Sequence, residues 1–413
     1  MAKKTVADIN LKGKKVVMRC DFNVPLDDNF NITNDGRITK AMPTIRHILD
    51  NGASLILMSH LGRPKGGHRE EKYSLAPVAK RLSELVGRKV VFADDCVGAD
   101  VKSKAAALKP GDVMLLENLR FHNEETIKDK NAKDDAALRK AKDDFAKQIA
   151  DLGNVYVDDA FGTAHRDNAS MYTVPVMMQG KPRVSGFLLE KELQFLGETV
   201  ENPERPFVAI LGGAKVSDKL AVIENLMKKV DRILIGGAMA YTFFKAQGKG
   251  VGKSLCEDDF LDKAKELLGR AKDIKCEIVL PVDTVIATEF KANAENKVVK
   301  GDIPDGWEGL DIGPESRKLF VEKIAGSKTI VWNGPMGVFE LEPFDAGTKA
   351  IAQAVAQATT KGARSVIGGG DSATAIVNMN LEDKVTHVST GGGASLEFLE
   401  GKKFKCLEIL DEK

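Results

Sequence analysis

Arginine and histidine recur just after short apolar runs in the first half of the chain. Asp21-Phe22-Asn23 follows the run 15–19, with Arg37 further along the same loop. Ser59-His60-Leu61-Gly62-Arg63-Pro64 follows 55–58, and Glu117-Asn118-Leu119-Arg120-Phe121-His122 follows 113–116. The run 155–157 leads into Asp158-Asp159-Ala160-Phe161-Gly162-Thr163-Ala164-His165-Arg166. A guanidinium is a planar fork of donors that matches carboxylate and phosphate, so these loops read as a site for a multiply charged anion. Any one of these arginines could serve a structural ion pair instead, but their recurrence at successive run ends favours a ligand.

In the second half the corresponding positions carry glycine: Gly212-Gly213-Ala214-Lys215, Gly236-Gly237-Ala238, Gly368-Gly369-Gly370-Asp371-Ser372 and Gly391-Gly392-Gly393-Ala394. Glycine turns let backbone N–H groups approach phosphate oxygens, and a following helix N-terminus favours negative charge. This pattern suggests a nucleotide polyphosphate site. Lys215 and Lys219 are spaced one helical turn apart and could reach the same phosphates. Asp371 could hold Mg²⁺ bridging phosphates, or cap a helix. An anion site in one half and a nucleotide-phosphate site in the other imply phosphoryl transfer by positioning and charge neutralisation. No general base stands out, as expected if the acceptor is a carboxylate that is already ionised. The segment 247–254 mimics a phosphate-binding loop but has Gln247 at its first glycine and follows a helical stretch. There is no GxGxxG, no HExxH and no close His/Cys cluster, so neither a dinucleotide nor zinc is expected.

The elements that must position these loops are legible as apolar runs at 15–19, 55–58, 90–92, 113–116, 155–157, 207–211, 233–235, 278–280, 329–332, 365–367 and 387–389. Such runs, apolar without alternation, suit strands buried on both faces of a parallel sheet. Helical spacing between them, as at 75–86 and 217–229, makes the fold α/β and doubly wound. More runs occur than the ~10 strands an open twisted sheet carries. Two Rossmann-like domains facing a cleft are therefore expected, 1–185 and 186–395, joined by a helical hinge that begins near 187. The segment 122–148 alternates in sign and reads as a solvated helix face. Against 61 Lys+Arg stand 60 Asp+Glu, a net charge of +1. That balance disfavours nucleic-acid and membrane-surface partners. Five scattered cysteines without a CxxC point to a reducing cytoplasm.

Taken together these motifs resemble the phosphoglycerate kinase family along essentially the whole chain. They are Arg19-Cys20-Asp21-Phe22-Asn23-Val24-Pro25, the arginine and histidine loops above, the segment 212–219, Trp332-Asn333-Gly334-Pro335-Met336-Gly337-Val338-Phe339-Glu340 and the glycine turns at 368–372 and 389–394. The resemblance implies reversible, Mg²⁺-dependent transfer between 1,3-bisphosphoglycerate plus ADP and 3-phosphoglycerate plus ATP, in glycolysis and gluconeogenesis, by a cytoplasmic monomer that closes its domains. It assigns the phosphoglycerate to Asp21, Phe22, Asn23, Arg37, His60, Leu61, Gly62, Arg63, Arg120 and Arg166. It assigns the nucleotide to Gly213, Lys215, Lys219, Gly237, Gly313, Asn333, Pro335, Glu340, Gly369, Gly370, Asp371 and Ser372, with the metal on Asp371. Arg37, Lys215, Lys219 and Gly392 would surround the moving group, and residues from about 396 onward would pack back on the first domain. Asn168 stands where the family usually carries a second histidine, and an amide cannot carry a proton. The competing readings are a two-domain anion-binding protein without catalysis and, less well matched, a dehydrogenase.

Overall fold

The computed structural model describes residues 2–413. Each apolar run forms a strand. In the first half these are β1 (Lys15–Cys20), β2 (Ser54–Met58), β3 (Val90–Phe92), β4 (Val113–Leu115) and β5 (Val155–Asp159), joined by a short edge strand β6 (Arg183–Ser185). The second half has β7 (Phe207–Leu211), β8 (Arg232–Ile235), β9 (Glu277–Val279), β10 (Thr284–Ala287), β11 (Asn296–Val299), β12 (Glu308–Ile312), β13 (Thr329–Asn333), β14 (Arg364–Gly368) and β15 (His387–Val388). The fold is α/β, with two six-stranded sheets ordered β3-β4-β2-β1-β5-β6 and β15-β14-β13-β7-β8-β9. All neighbours within them are parallel. A small antiparallel sheet, β11-β10-β12, lies outside the runs named above.

The chain divides into two compact units: residues up to Leu193 with Lys403–Lys413, and Gln194–Lys402. The division lies inside the helix Phe187–Glu201 and not before it at 185/186. The helix Gly393–Leu399 stays with the second unit, where the Leu399 carbonyl accepts from Asn225 Nδ2 at 2.7 Å. The returning tail therefore begins at Lys403 rather than near 396. It is tied to the first unit by Asp411, whose carbonyl accepts from Lys4 N and whose N–H donates to the Arg183 carbonyl, both at 2.8 Å. Among the described residues no helix is long and apolar enough to cross a membrane.

Strand order locates the sites. In the first unit β2, β4 and β3 lie in that order on one side of β1, and β5 and β6 on the other. In the second, β8 and β9 lie on one side of β7 and β13 on the other. Ligands bind beyond the carboxyl ends of strands where the order reverses, which here means the loops after β1 and β5 and those after β7 and β13. Buried aliphatic side chains hold these strands rigid. Val16, Met18, Leu55, Leu57, Val155 and Val157 pack with Ile38, Ile45 and Ile48 of the helix Gly36–Asp50. In the second unit Val208, Ile210, Ile330 and Trp332 pack with Phe320, Ile351 and Val355.

The segment 122–148 is not one solvated helix. It breaks into a 3₁₀ turn, Asn123–Thr126, and helices Asp129–Ala132 and Ala136–Ala150. Glu125, Asp129 and Lys142 are buried in it. Lys142 Nζ donates to Asp129 Oδ1 at 2.9 Å and to the Asp167 carbonyl at 2.6 Å. Buried charges persist only when paired in this way.

Candidate active site

In the first unit the helix Gly36–Asp50 buries its Ile38–Ala41–Met42–Ile45 stripe and so presents Arg37 from its first turn. Arg37 Nη1 pairs with Asp21 Oδ2 at the end of β1, while Asp21 Oδ1 accepts from Asn23 N at 3.2 Å. Asn23 Oδ1 in turn accepts from Gly62 N at 2.7 Å, locking the loop after β1 to the loop after β2. Arg120 Nη1 donates to the Gly62 carbonyl at 2.8 Å, adding the loop after β4. Phe22 and Leu61 are buried, so they shape the loops as core residues while their neighbours face the site.

His60 sits at the centre, 4% exposed. Arg19 Nη2 lies 3.2 Å from its Nδ1. Because a guanidinium only donates, Nδ1 accepts and the proton resides on Nε2. Burial, and then the charges of Arg19, Arg120, Arg166 and Arg37, hold the His60 pKa well below its usual value. The imidazole is therefore a neutral donor beside a cluster of cations. Burial, then Arg166 and Arg19, lower Arg120 to about 10, and its Nε has no hydrogen-bond partner among the described residues. Arg63 and Arg166 are exposed. A group of guanidinia short of carboxylates is electrostatically unfavourable alone and is relieved by a bound anion.

Behind this cluster lies a layer of which the sequence marks only Asn168. Arg19 is fully buried, with Nε donating to Ser170 Oγ at 2.9 Å. Ser170 Oγ donates onward to Glu125 Oε1 at 2.7 Å, which also accepts from Asn168 Nδ2 at 3.2 Å. An arginine inside an otherwise apolar strand was the available signal.

In the second unit the glycine turns knit together. Gly212 N donates to the Asn333 carbonyl at 3.0 Å, Gly213 N to that of Pro335 at 3.1 Å, and Gly237 N to that of Met336 at 2.9 Å. Gly237 has φ +68°, and a Cβ there would lie 2.5 Å from Gly213 N, so only glycine fits. Gly369 has φ +83° and caps the helix Gly370–Asn378, whose Ser372 Oγ accepts from Gly334 N at 2.6 Å. Lys219 Nζ donates to Asn333 Oδ1, and Asn333 Nδ2 is buried without a hydrogen-bond partner among the described residues. Burial lowers Lys219 to about 8, although Asp218 and Asp371 oppose the shift.

Lys215 and Lys219 do not share a helical turn. The helix starts only at Leu220, leaving Lys215 exposed and Lys219 buried. At Gly313 a Cβ would meet the Asp283 carboxyl at 2.2 Å, a packing reason for glycine. Glu340 is exposed on the segment after β13. Gly392 precedes the helix Gly393–Leu399, and Ser395 of that helix approaches Gly368. Asp371 is an exposed carboxylate on the first turn after Gly369, an all-oxygen donor of the kind Mg²⁺ takes alongside phosphate oxygens and water.

A unit bearing a guanidinium cluster and a unit bearing glycine turns around a buried lysine define a phosphotransferase of the two-domain α/β class. The family description of phosphoglycerate kinase matches residues 6–402. The phosphoglycerate kinase of Chlorobium phaeobacteroides is 54% identical over 413 residues, covering 100% of both chains. That of Thermosipho africanus is 55% identical over 415 residues, covering 100% of this chain and 99% of its own. The solved phosphoglycerate kinase from Coxiella burnetii superposes with a TM-score of 0.86 at 40% identity, over 98% of each chain. For the enzyme from Pyrococcus horikoshii OT3 the TM-score is 0.81 at 31% identity, again over 98% of each. The chain belongs to the phosphoglycerate kinase family.

Proposed function

We propose that the first unit holds 3-phosphoglycerate and the second ATP or ADP, and that a phosphoryl group moves reversibly between them. In one direction a carboxylate oxygen of 3-phosphoglycerate bonds to the γ-phosphorus while the bond to the β,γ-bridging oxygen breaks, giving 1,3-bisphosphoglycerate and ADP. The attacking carboxylate is already ionised, so no side chain need take a proton. The observation that carries this reading is the cluster of Arg19, Arg37, Arg120 and Arg166 around a neutral His60.

In this assignment Asp21, Asn23, His60, Arg63, Arg120 and Arg166 orient the phosphoglycerate, and Arg37 neutralises its carboxylate. Lys219, Lys215 and the amides of Gly369, Gly370 and Gly392 face the nucleotide phosphates, while Gly213 and Gly237, whose own N–H groups are bonded to the Pro335 and Met336 carbonyls, shape the turns beside them. Asn333 and Pro335 lie toward the nucleoside, and Glu340 and Gly313 belong to the same nucleotide half. Mg²⁺ held on Asp371 would supply charge neutralisation of the phosphates when bound. Because the two ligands are assigned to different units, transfer requires their reacting atoms to come within about 3–3.5 Å. The same reading makes the protein a cytoplasmic monomer acting on small molecules, in keeping with its net charge of +1 and its free cysteines.

The test is Mg²⁺-dependent ADP formation from ATP that requires 3-phosphoglycerate, coupled to a step that consumes the acyl phosphate. Absence of turnover in a folded protein that binds both ligands would return it to anion binding without chemistry. Asn168→His places an imidazole beside Glu125. It should change KM for 3-phosphoglycerate about fivefold, the worth of ~1 kcal/mol of charge interaction, and leave KM for ATP unchanged. Steady-state kinetics with each substrate varied checks this, and an unchanged KM for both removes the position from the site.

A further inference from the structure

Strands β3 and β4 are neighbours in register, Val90 opposite Val113 and Phe92 opposite Leu115. The loops that leave their carboxyl ends run side by side, with Ala93 N donating to the Leu115 carbonyl at 2.9 Å and Glu117 N to that of Asp95 at 3.4 Å. This pairing brings Asp95 and Cys96 of one loop against His122 of the other. Their carboxylate oxygen, sulfur and ring nitrogen all lie within 4.8 Å of one another. Asp95 Oδ1 is 2.6 Å from His122 Nε2. Cys96 is 1% exposed and its Sγ sits 3.0 Å from the Glu117 carbonyl. The His122 ring is held against Phe145 with centroids 5.0 Å apart. Asp95 is exposed, so the cluster has an approach from solvent.

We infer that Asp95, Cys96 and His122 form a binding site for a single borderline divalent transition ion, Zn²⁺ in particular, with the fourth position open to water. The three residues form no close cluster in sequence; His122 reaches the adjacent Asp95–Cys96 pair only through the β3–β4 pairing. Tetrahedral Zn²⁺ with bonds of ~2.0–2.3 Å holds its ligands roughly 3.3–3.8 Å apart. The observed spread needs only side-chain adjustment of about 1 Å to match. Thiolate and imidazole select Zn²⁺ or Co²⁺ over Mg²⁺ and Ca²⁺, which take oxygen ligands, so the ion assigned to Asp371 does not compete here. One carboxylate and one thiolate neutralise the divalent charge; on binding the thiol proton now directed at the Glu117 carbonyl leaves to solvent, and His122 Nε2 gives up the proton it now shares with Asp95 so that the ring binds as the neutral Nδ1–H tautomer. The ion would staple the two loops and stabilise the native chain by mass action.

The experiment is titration of the full chain with Co²⁺ in Mg²⁺-containing buffer, following thiolate-to-cobalt charge-transfer absorption. One equivalent should bind to the wild type and to Cys256→Ser, which removes the half-exposed thiol outside the cluster. Zn²⁺ should displace the cobalt. Cys96→Ser should lose the charge-transfer band, and His122→Asn should weaken binding at least about tenfold. Zn²⁺ should also raise the wild-type Tm but not that of Cys96→Ser. A wild type that gives no thiolate band at millimolar Co²⁺ would overturn the site without reference to any variant. So would a band that survives Cys96→Ser or vanishes in Cys256→Ser.

Discussion

Replacing Arg37 by alanine is expected to lower kcat/KM for phosphoryl transfer by about 10³, the loss that follows removal of one preorganised donor from developing charge. Two effects combine. The acceptor carboxylate loses the guanidinium that offsets its repulsion from the incoming phosphoryl group. Asp21, whose side chain is only 11% exposed and which pairs with Arg37, is left as an unpaired carboxylate in a site meant for an anion. Nucleotide affinity should stay within twofold, because Arg37 belongs to the unit that does not carry the glycine turns. Arg37→Lys keeps the charge without the planar fork and should fall between wild type and alanine. Calorimetric binding of ADP beside steady-state kinetics tests the pair of expectations. Equal loss of nucleotide binding and turnover would sink the assignment of separate sites.

Lys219→Met should reduce kcat by about 10²–10³, on the same argument applied to the transferring group. It also strips Asn333 of its Oδ1 partner, and its Nδ2 already lacks one among the described residues. A second signature distinguishes lost charge from lost packing. Burial lowers Lys219 to about 8, so the ammonium prevails below that pH and the neutral amine above it. A bound polyphosphate favours the ammonium and raises the pKa again. Wild-type ADP affinity should therefore fall as pH rises through about 8, and binding above it should take up a proton. The methionine variant should show neither effect. Dissociation constants measured between about pH 7 and about pH 9.5, in buffers of different ionisation enthalpy, decide it. A variant whose pH profile matches the wild type would remove Lys219 from contact with the phosphates.

All strands of the two large sheets except β6 were legible because their runs are apolar without alternation, a pattern that parallel pairing with two covered faces explains. What escaped was short or context-dependent. β6 holds one apolar residue in three, and β10 to β12 form an antiparallel sheet whose β11 shows no buried position. The helix expected over 217–229 occupies only Leu220–Leu226. That shortening separates Lys215 from Lys219 and leaves one lysine buried and the other exposed. The alternating charges of 122–148 looked solvated because sequence shows sign but not partner. Lys142 and Asp129 supply each other's counter-charge inside the first unit.

The sequence by itself determined the residue types at each strand end: arginine and histidine in one half, glycine and lysine in the other. Those follow from local composition and from the rule that ligands meet the carboxyl ends of parallel strands. Only the tertiary structure decided which of them meet. It put Arg19 behind His60, set Lys219 against Asn333, gave Gly313 a packing role against Asp283, and carried His122 to Asp95 and Cys96. Each of these depends on strand order and burial, which set distance and dielectric between residues far apart in the chain, and neither quantity is written in local spacing.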